Sequence, residues 1–159
     1  MPIVLYRVDE RLIHGQVVIG WGNELRPERY LVIDDELARS EWEQDLYRLA
    51  VSESEVVFAS VEEARRELEG WKSAPLRSIL LTRDIGTMRR LAEGGLLQGE
   101  QVNLGGLHHA PGRERVLPYL FVSAQDRDDL ERLGAEGVEV SARDLPDAPG
   151  VPLASLLND

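Results

Sequence analysis

The chain has 159 residues, no cysteine, 43% hydrophobic and 30% charged residues, and a formal net charge of −11. That length carries one domain with a sizeable core, and the lack of cysteine excludes disulfides, thiolate catalysis and cysteine-ligated metal. The acidic balance argues against non-specific binding to nucleic acid or to an anionic membrane surface, and no apolar run approaches the roughly 18 residues of a membrane span. The first residues, Met-Pro-Ile-Val-Leu-Tyr-Arg, lack the basic-then-apolar pattern of a signal peptide, so a reducing cytoplasm is the expected setting.

Ile3 to Val8 is an apolar, β-branched run interrupted by Arg7, the pattern of a strand buried in a sheet. Asp9, Glu10 and Arg11 then crowd a loop that leads to His14 and Gly15. Gln16-Val-Val-Ile19 opens a helix whose apolar side continues through Trp21 and Leu25. The order strand, charged loop, glycine, helix puts His14 at the carboxyl end of a strand, the edge where ligands bind in open α/β sheets. The N–H groups of a helix start favour an anion there, and Gly15 lets the backbone approach it without a Cβ in the way. Arg7 and Arg11 are then either donors to that anion or partners of Asp9 and Glu10 in a surface network.

Arg29 to Asp34 reads as a second buried strand, and Asp34-Asp35-Glu36 as acids favourable at the following helix's first turn rather than as metal ligands. Leu37, Trp42, Leu46 and Leu49 fall at helical spacing, with Ser40 and Glu43 as a capping pair inside the segment and Trp42 as a packing residue. Val56 to Ala59 is a third strand, and Ser60-Val-Glu-Glu63 a capping box before a helix ending near Gly70, with Trp71 packed beyond it. Arg77 to Thr82 is a fourth strand, followed by a helix over 84–92 that stops at Gly94-Gly95. Gln101 to Gly106 resumes strand character and ends in a glycine pair, a weak turn signal. Of the adjacent His108 and His109, one is expected to face the active edge and the other solvent. Arg113 to Val122 is strand-like but broken by Pro118, as on an edge or at a bulge. Ser123 with Asp126 caps a helix ending at Gly134 or Gly137, Val138 to Ala142 is a last strand, and Leu153 to Leu157 a short helix. Alternation throughout predicts a single α/β domain over 1–159, an open, parallel-dominated sheet with helices on both faces.

The stretch Arg7-Val-Asp-Glu-Arg11-Leu-Ile-His14-Gly-Gln-Val17 resembles the phosphorylation-site signature of the IIB subunits of the mannose/fructose/sorbose-type bacterial sugar phosphotransferase system. Leu81-Thr82-Arg83, Val102-Asn-Leu-Gly-Gly106 and Val122-Ser123 extend the resemblance over nearly the whole chain. It implies that His14 accepts a phosphoryl group from a IIA phosphohistidine and passes it to a sugar bound by membrane permease subunits. No cofactor is implied, and the chain is expected to work in the cytoplasm, held peripherally at the permease. In this reading Arg7 and Arg11 hold phosphoryl oxygens, Asp9 positions an arginine or the imidazole, and Gly15 and Gln16 add backbone N–H groups. Thr82, Asn103 and Gly105, at neighbouring strand ends, line the pocket. An imidazole nitrogen attacks only when unprotonated, a state histidine reaches near neutral pH. The same chemistry also fits a regulator that reports phosphorylation state without transport. A nucleotide-binding module is disfavoured, since neither G-x-x-x-x-G-K-[ST] nor a strand-linked G-x-G-x-x-G occurs.

Overall fold

A computed structural model describes residues 2–51 and 53–157, the Gln16 side chain excepted. Strand β1 (Ile3–Val8) is followed by a π-helical turn (Gln16–Trp21) that runs into α1 (Gly22–Leu25). Then come β2 (Arg29–Ile33), α2 (Glu41–Ala50), β3 (Glu55–Ala59), α3 (Val61–Ser73), β4 (Ser78–Thr82) and α4 (Ile85–Ala92). The second half holds β5 (Gln101–Leu104), the hairpin β6 (Arg113–Leu117) and β7 (Leu120–Ser123), α5 (Ala124–Ala135), β8 (Glu139–Ala142), β9 (Val151–Pro152) and α6 (Leu153–Leu157). The main sheet has the order β3-β2-β4-β1-β5-β8-β9, every pairing parallel except β8 with β9. This is the expected single α/β domain with helices on both faces.

Strands β2 and β4 are buried at all five positions, which is why Tyr30 to Ile33 and Ile79 to Leu81 are continuous hydrophobic runs. One apolar layer takes in Val61, Leu68, Ile85, Met88, Leu91, Leu130 and Leu133 from α3, α4 and α5. The opposite layer takes in Leu12, Ile13, Val17, Trp21, Leu37 and Val51. The chain leaving β1 thus crosses one face while the chain leaving its neighbours β4 and β5 goes to the other. Diverging connections make the carboxyl end of β1 a topological switch point, the usual ligand position in this architecture.

Both outer capping boxes form: Ser60 accepts from Glu63 N and Ser123 from Asp126 N, each acid side chain accepting in return from the cap N–H. Three local expectations are corrected. Ser40 is extended (φ −122°, ψ 90°) between a 3₁₀ turn (Leu37–Arg39) and α2, and its side chain makes no capping bond. Trp42 is 68% exposed rather than packed, whereas Trp71 is buried. Pro118 sits in the turn of a hairpin, not within a single edge strand, because a residue lacking N–H suits a turn better than a ladder. The strand β9, only two residues long, carries no sequence signal of its own.

Candidate active site

The loop after β1 is tied down by main-chain bonds before any side chain contributes. Asp9 N donates to Thr82 O (3.0 Å), Glu10 N to Gly106 O (2.9 Å) and Leu12 N to Asp9 O (2.9 Å). The tight turn that results places Leu12 at φ 56°, a left-handed backbone that costs a leucine about 1–2 kcal/mol. Complete burial of its side chain offsets that strain.

Asp9 is the hub. Its carboxylate is fully buried, 3.3 Å from Arg7 Nη2, 3.2 Å from His14 Nε2 and 3.6 Å from Arg11 Nε, and it accepts from Arg11 N at 3.2 Å. Burial by itself would raise the Asp9 pKa, but the contact and charge of His14, then the charge of Arg7 and the Arg11 N–H, outweigh it and hold the carboxyl below its usual range. His14 is mostly enclosed, its side chain 15% exposed.

Arg7 is fully buried, so its pairing with Asp9 is an interior pair and not the surface network that the sequence alone also allows. Nη1 donates to Asn103 Oδ1 (2.5 Å) and Arg143 O (2.7 Å), and Nη2 to Asp144 O (3.0 Å) as well as Asp9. The guanidinium also stacks 5.1 Å from the Trp21 ring centre, whose Nε1 donates to Asp144 O (3.1 Å). Its two Nη groups are therefore engaged by protein oxygens, while Nε is buried without a hydrogen-bond partner among the described residues. Gly105 makes this packing fit: a Cβ there would stand 2.6 Å from both Arg7 Cζ and Asp9 Oδ2.

Thr82 and Asn103 stand on the two strands flanking β1, level with Val8 and Arg7, and both side chains are buried, Asn103 against Arg7 and Thr82 Oγ1 against Asp84 O (3.0 Å). They form the floor under the loop and do not line an open pocket. Gly15 is exposed, with φ −50° and nothing within 4 Å of where a Cβ would stand, so no special backbone conformation requires glycine there. The helix start is a single π-helical turn, with Val18 N bonding His14 O (2.9 Å). The Gln16 side chain lies outside the described residues.

On the other side of the loop, Glu10 Oε2 accepts from His108 N (3.0 Å) and lies 2.5 Å from His108 Nδ1, while Oε1 pairs with Arg113 Nη1 (3.1 Å). Both histidines of the pair are exposed in a loop and not in a strand, with His109 edge-on to Phe121. Sequence reasoning misses this Glu10–His108–Arg113 cluster and the Trp21 and Asp144 contacts. Residues some 100 positions apart, on segments with no regular pattern, leave no periodic signal to read. The acids at 34–36 are placed as helix-start partners: Asp34 Oδ2 accepts from Leu37 N and Asp35 Oδ1 from Val61 N.

Asp9 and Glu10 both have their pKa lowered by folding; for Glu10 burial opposes the shift, but the His108 N–H and Arg113 prevail. The unfolded chain then binds more protons than the native one over the acidic range, so their stabilisation is complete above the ordinary carboxylate pKa and lost as pH falls through the lowered one. Melting temperature is expected to drop in that acidic window, and Asp9→Asn to remove part of the drop. An unaltered acid profile in Asp9→Asn would show that Asp9 is not linked to folding.

Residues 3–159 match the model of the PTS system sorbose subfamily IIB component. The chain belongs to that family. It is 31% identical over 147 residues to the N-acetylgalactosamine-specific phosphotransferase enzyme IIB component 1 of Escherichia coli K12, covering 91% of each chain. Identity is also 31% over 160 residues to the mannose-specific EIIAB component of that strain, covering 99% of this chain and 49% of the longer relative. Among solved structures, manxB from Thermoanaerobacter tengcongensis superposes with a TM-score of 0.85 at 30% identity, over 98% of this chain and 94% of the other. This IIB component is thus part of the sugar phosphotransferase system, and no helix among its described residues is long and apolar enough to cross a membrane.

Proposed function

We propose that this IIB component carries a phosphoryl group on His14, taking it from a IIA phosphohistidine and delivering it to a sugar held by membrane permease subunits. The observation that supports this reading is the 3.2 Å contact of His14 Nε2 with the buried Asp9 carboxylate. A carboxylate there favours the tautomer with the proton on Nε2, which leaves the Nδ1 lone pair as the nucleophile. In the first step Nδ1 attacks phosphorus in line as the donor's phosphorus–nitrogen bond breaks. In the second, the Nδ1–phosphorus bond breaks, its electron pair returning to Nδ1, as a sugar hydroxyl attacks and releases its proton to solvent.

Such a transfer asks for alignment and for charge on the equatorial oxygens more than for covalent help. Arg11, 39% exposed beside Gly106, supplies the guanidinium at the mouth, and Gly15 and Gln16 add backbone N–H groups. Arg7, Asn103, Thr82 and Gly105 act one layer below, as positioning residues that fix Asp9. The protein works at the cytoplasmic side, held peripherally by the permease.

The test is incubation with phosphoenolpyruvate and the upstream carrier proteins, followed by intact mass and peptide mapping; a label anywhere but on His14 overturns the reading. Arg11→Ala is expected to slow acceptance roughly ten- to a hundredfold, the loss of about 1.5–3 kcal/mol from one charge-assisted contact, at an unchanged melting temperature. An unchanged rate with a lowered melting temperature would assign Arg11 a purely structural role.

A further inference from the structure

Helix α2 is built the wrong way round for a helix that serves only its own core. Trp42, Leu46 and Leu49 lie at i, i+4 and i+7, one ridge of an α-helix, and they are 68%, 57% and 81% exposed. The face turned inward carries Glu43, Gln44 and Tyr47 instead, and no residue of α2 is fully buried. Gln44 Nε2 donates to Leu37 O, Tyr47 packs on Phe58, and Arg48 stacks over the same Phe58 ring. Ile19, 66% exposed, is on the π-helical turn of the same layer, and these four are the exposed large apolar side chains among the described residues. Single exposed apolar residues need no explanation, but a contiguous ridge does.

We propose that this ridge docks the cytoplasmic surface of the membrane permease, a partner face that is apolar at its centre and basic at its rim; the proposal rests on the phosphocarrier reading above. Charge selects that occupant. Between residues 36 and 55 there are six acids and two arginines, and Glu41 and Asp45 flank the ridge in the open. A second copy of this chain would set like charges against each other, and an anionic lipid surface would repel the same acids. Cytoplasmic loops of membrane proteins carry an excess of Lys and Arg, the complementary rim. Position agrees as well. The ridge begins at the sheet edge where β2 ends and runs away from it, with β4 between β2 and β1. A partner seated on it covers the same face of the sheet as the loop that carries His14, since Tyr47 of α2 packs in one apolar layer with Leu12 and Ile13.

The experiment measures binding of the wild-type chain to purified permease subunits of the same transport system in phosphatidylcholine nanodiscs. The comparison is the Trp42→Glu/Leu46→Glu variant, checked for folding by circular dichroism. The expected result is affinity lowered at least about tenfold in the variant, as for loss of central anchors, and wild-type affinity that weakens with added salt. Phosphoryl acceptance at His14 from IIA should be equal in both proteins. Equal affinity of the two proteins for the permease, or no wild-type binding, overturns the proposal. So does wild-type self-association lost in the variant, which would assign the ridge to a second copy, or equal binding to protein-free vesicles. Failure of the wild type to accept phosphoryl at His14 would instead defeat the functional reading, and is told apart by that assay.

Discussion

His14→Ala is expected to abolish phosphoryl acceptance while the protein stays folded. The side chain, 15% exposed, belongs to neither apolar layer, so its loss leaves the core packing in place while removing its contact with Asp9. That is worth about 1 kcal/mol of stability, because the Asp9 carboxylate keeps Arg7 and the Arg11 N–H. The loss of transfer, by contrast, is expected to be complete, since on the proposed function His14 is the nucleophile. The measurement is incorporation from the phosphorylated donor, followed as an acid-labile, base-stable adduct, with thermal melting in parallel. His108→Ala/His109→Ala should label normally, because His108 is engaged by Glu10 and His109 lies against Phe121. Label retained in His14→Ala, or lost in the double variant, would assign the acceptor elsewhere.

The second large effect is on stability. Arg7→Met should cost about 3–5 kcal/mol, the usual result of removing one member of a buried ion pair. A charge is left in Asp9 without its interior partner, the carbonyl of Arg143 loses its Arg7 donor, and that of Asp144 loses Arg7 but keeps Trp21 Nε1. For a chain of this size that is a fall of roughly 6–20 °C in melting temperature. Arg7→Lys should not restore it, because an ammonium cannot span the four acceptors that a planar guanidinium reaches. Acceptance of phosphoryl should fall too, through the misplaced Asp9 and His14. Arg7 and Arg11 thus separate cleanly: one variant melts early, the other melts normally and transfers slowly. An Arg7→Met protein with an unchanged melting temperature would restore Arg7 to the site's surface.

The same separation marks where the sequence speaks and where it does not. Arg7 and Arg11 are both arginines flanking one loop, and nothing in their spacing says that one is wholly inside and the other 39% exposed. That difference is made by Gly105, Asn103 and the 143–144 carbonyls, which only the pairing of β1 with β5 and β5 with β8 brings under the loop. Gly15 is the glycine next to His14, yet the position that cannot take a Cβ is Gly105, some 90 residues away.

Local chemistry determined much by itself. The runs Ile3–Val8, Arg29–Ile33 and Ser78–Thr82 are predominantly apolar because both faces of a parallel strand are covered, so they are legible as buried strands. The capping boxes at Ser60 and Ser123 fixed two helix starts, since donor and acceptor lie three residues apart. The strand–loop–histidine order placed His14 at the sheet's carboxyl edge. Tertiary structure decided the rest. Periodicity shows that Trp42, Leu46 and Leu49 share a helix face but not which way the face points; here it points outward. Nor does composition reveal which charges are paired, because burial and long-range register, not neighbours in the chain, set the partners of Asp9 and Glu10.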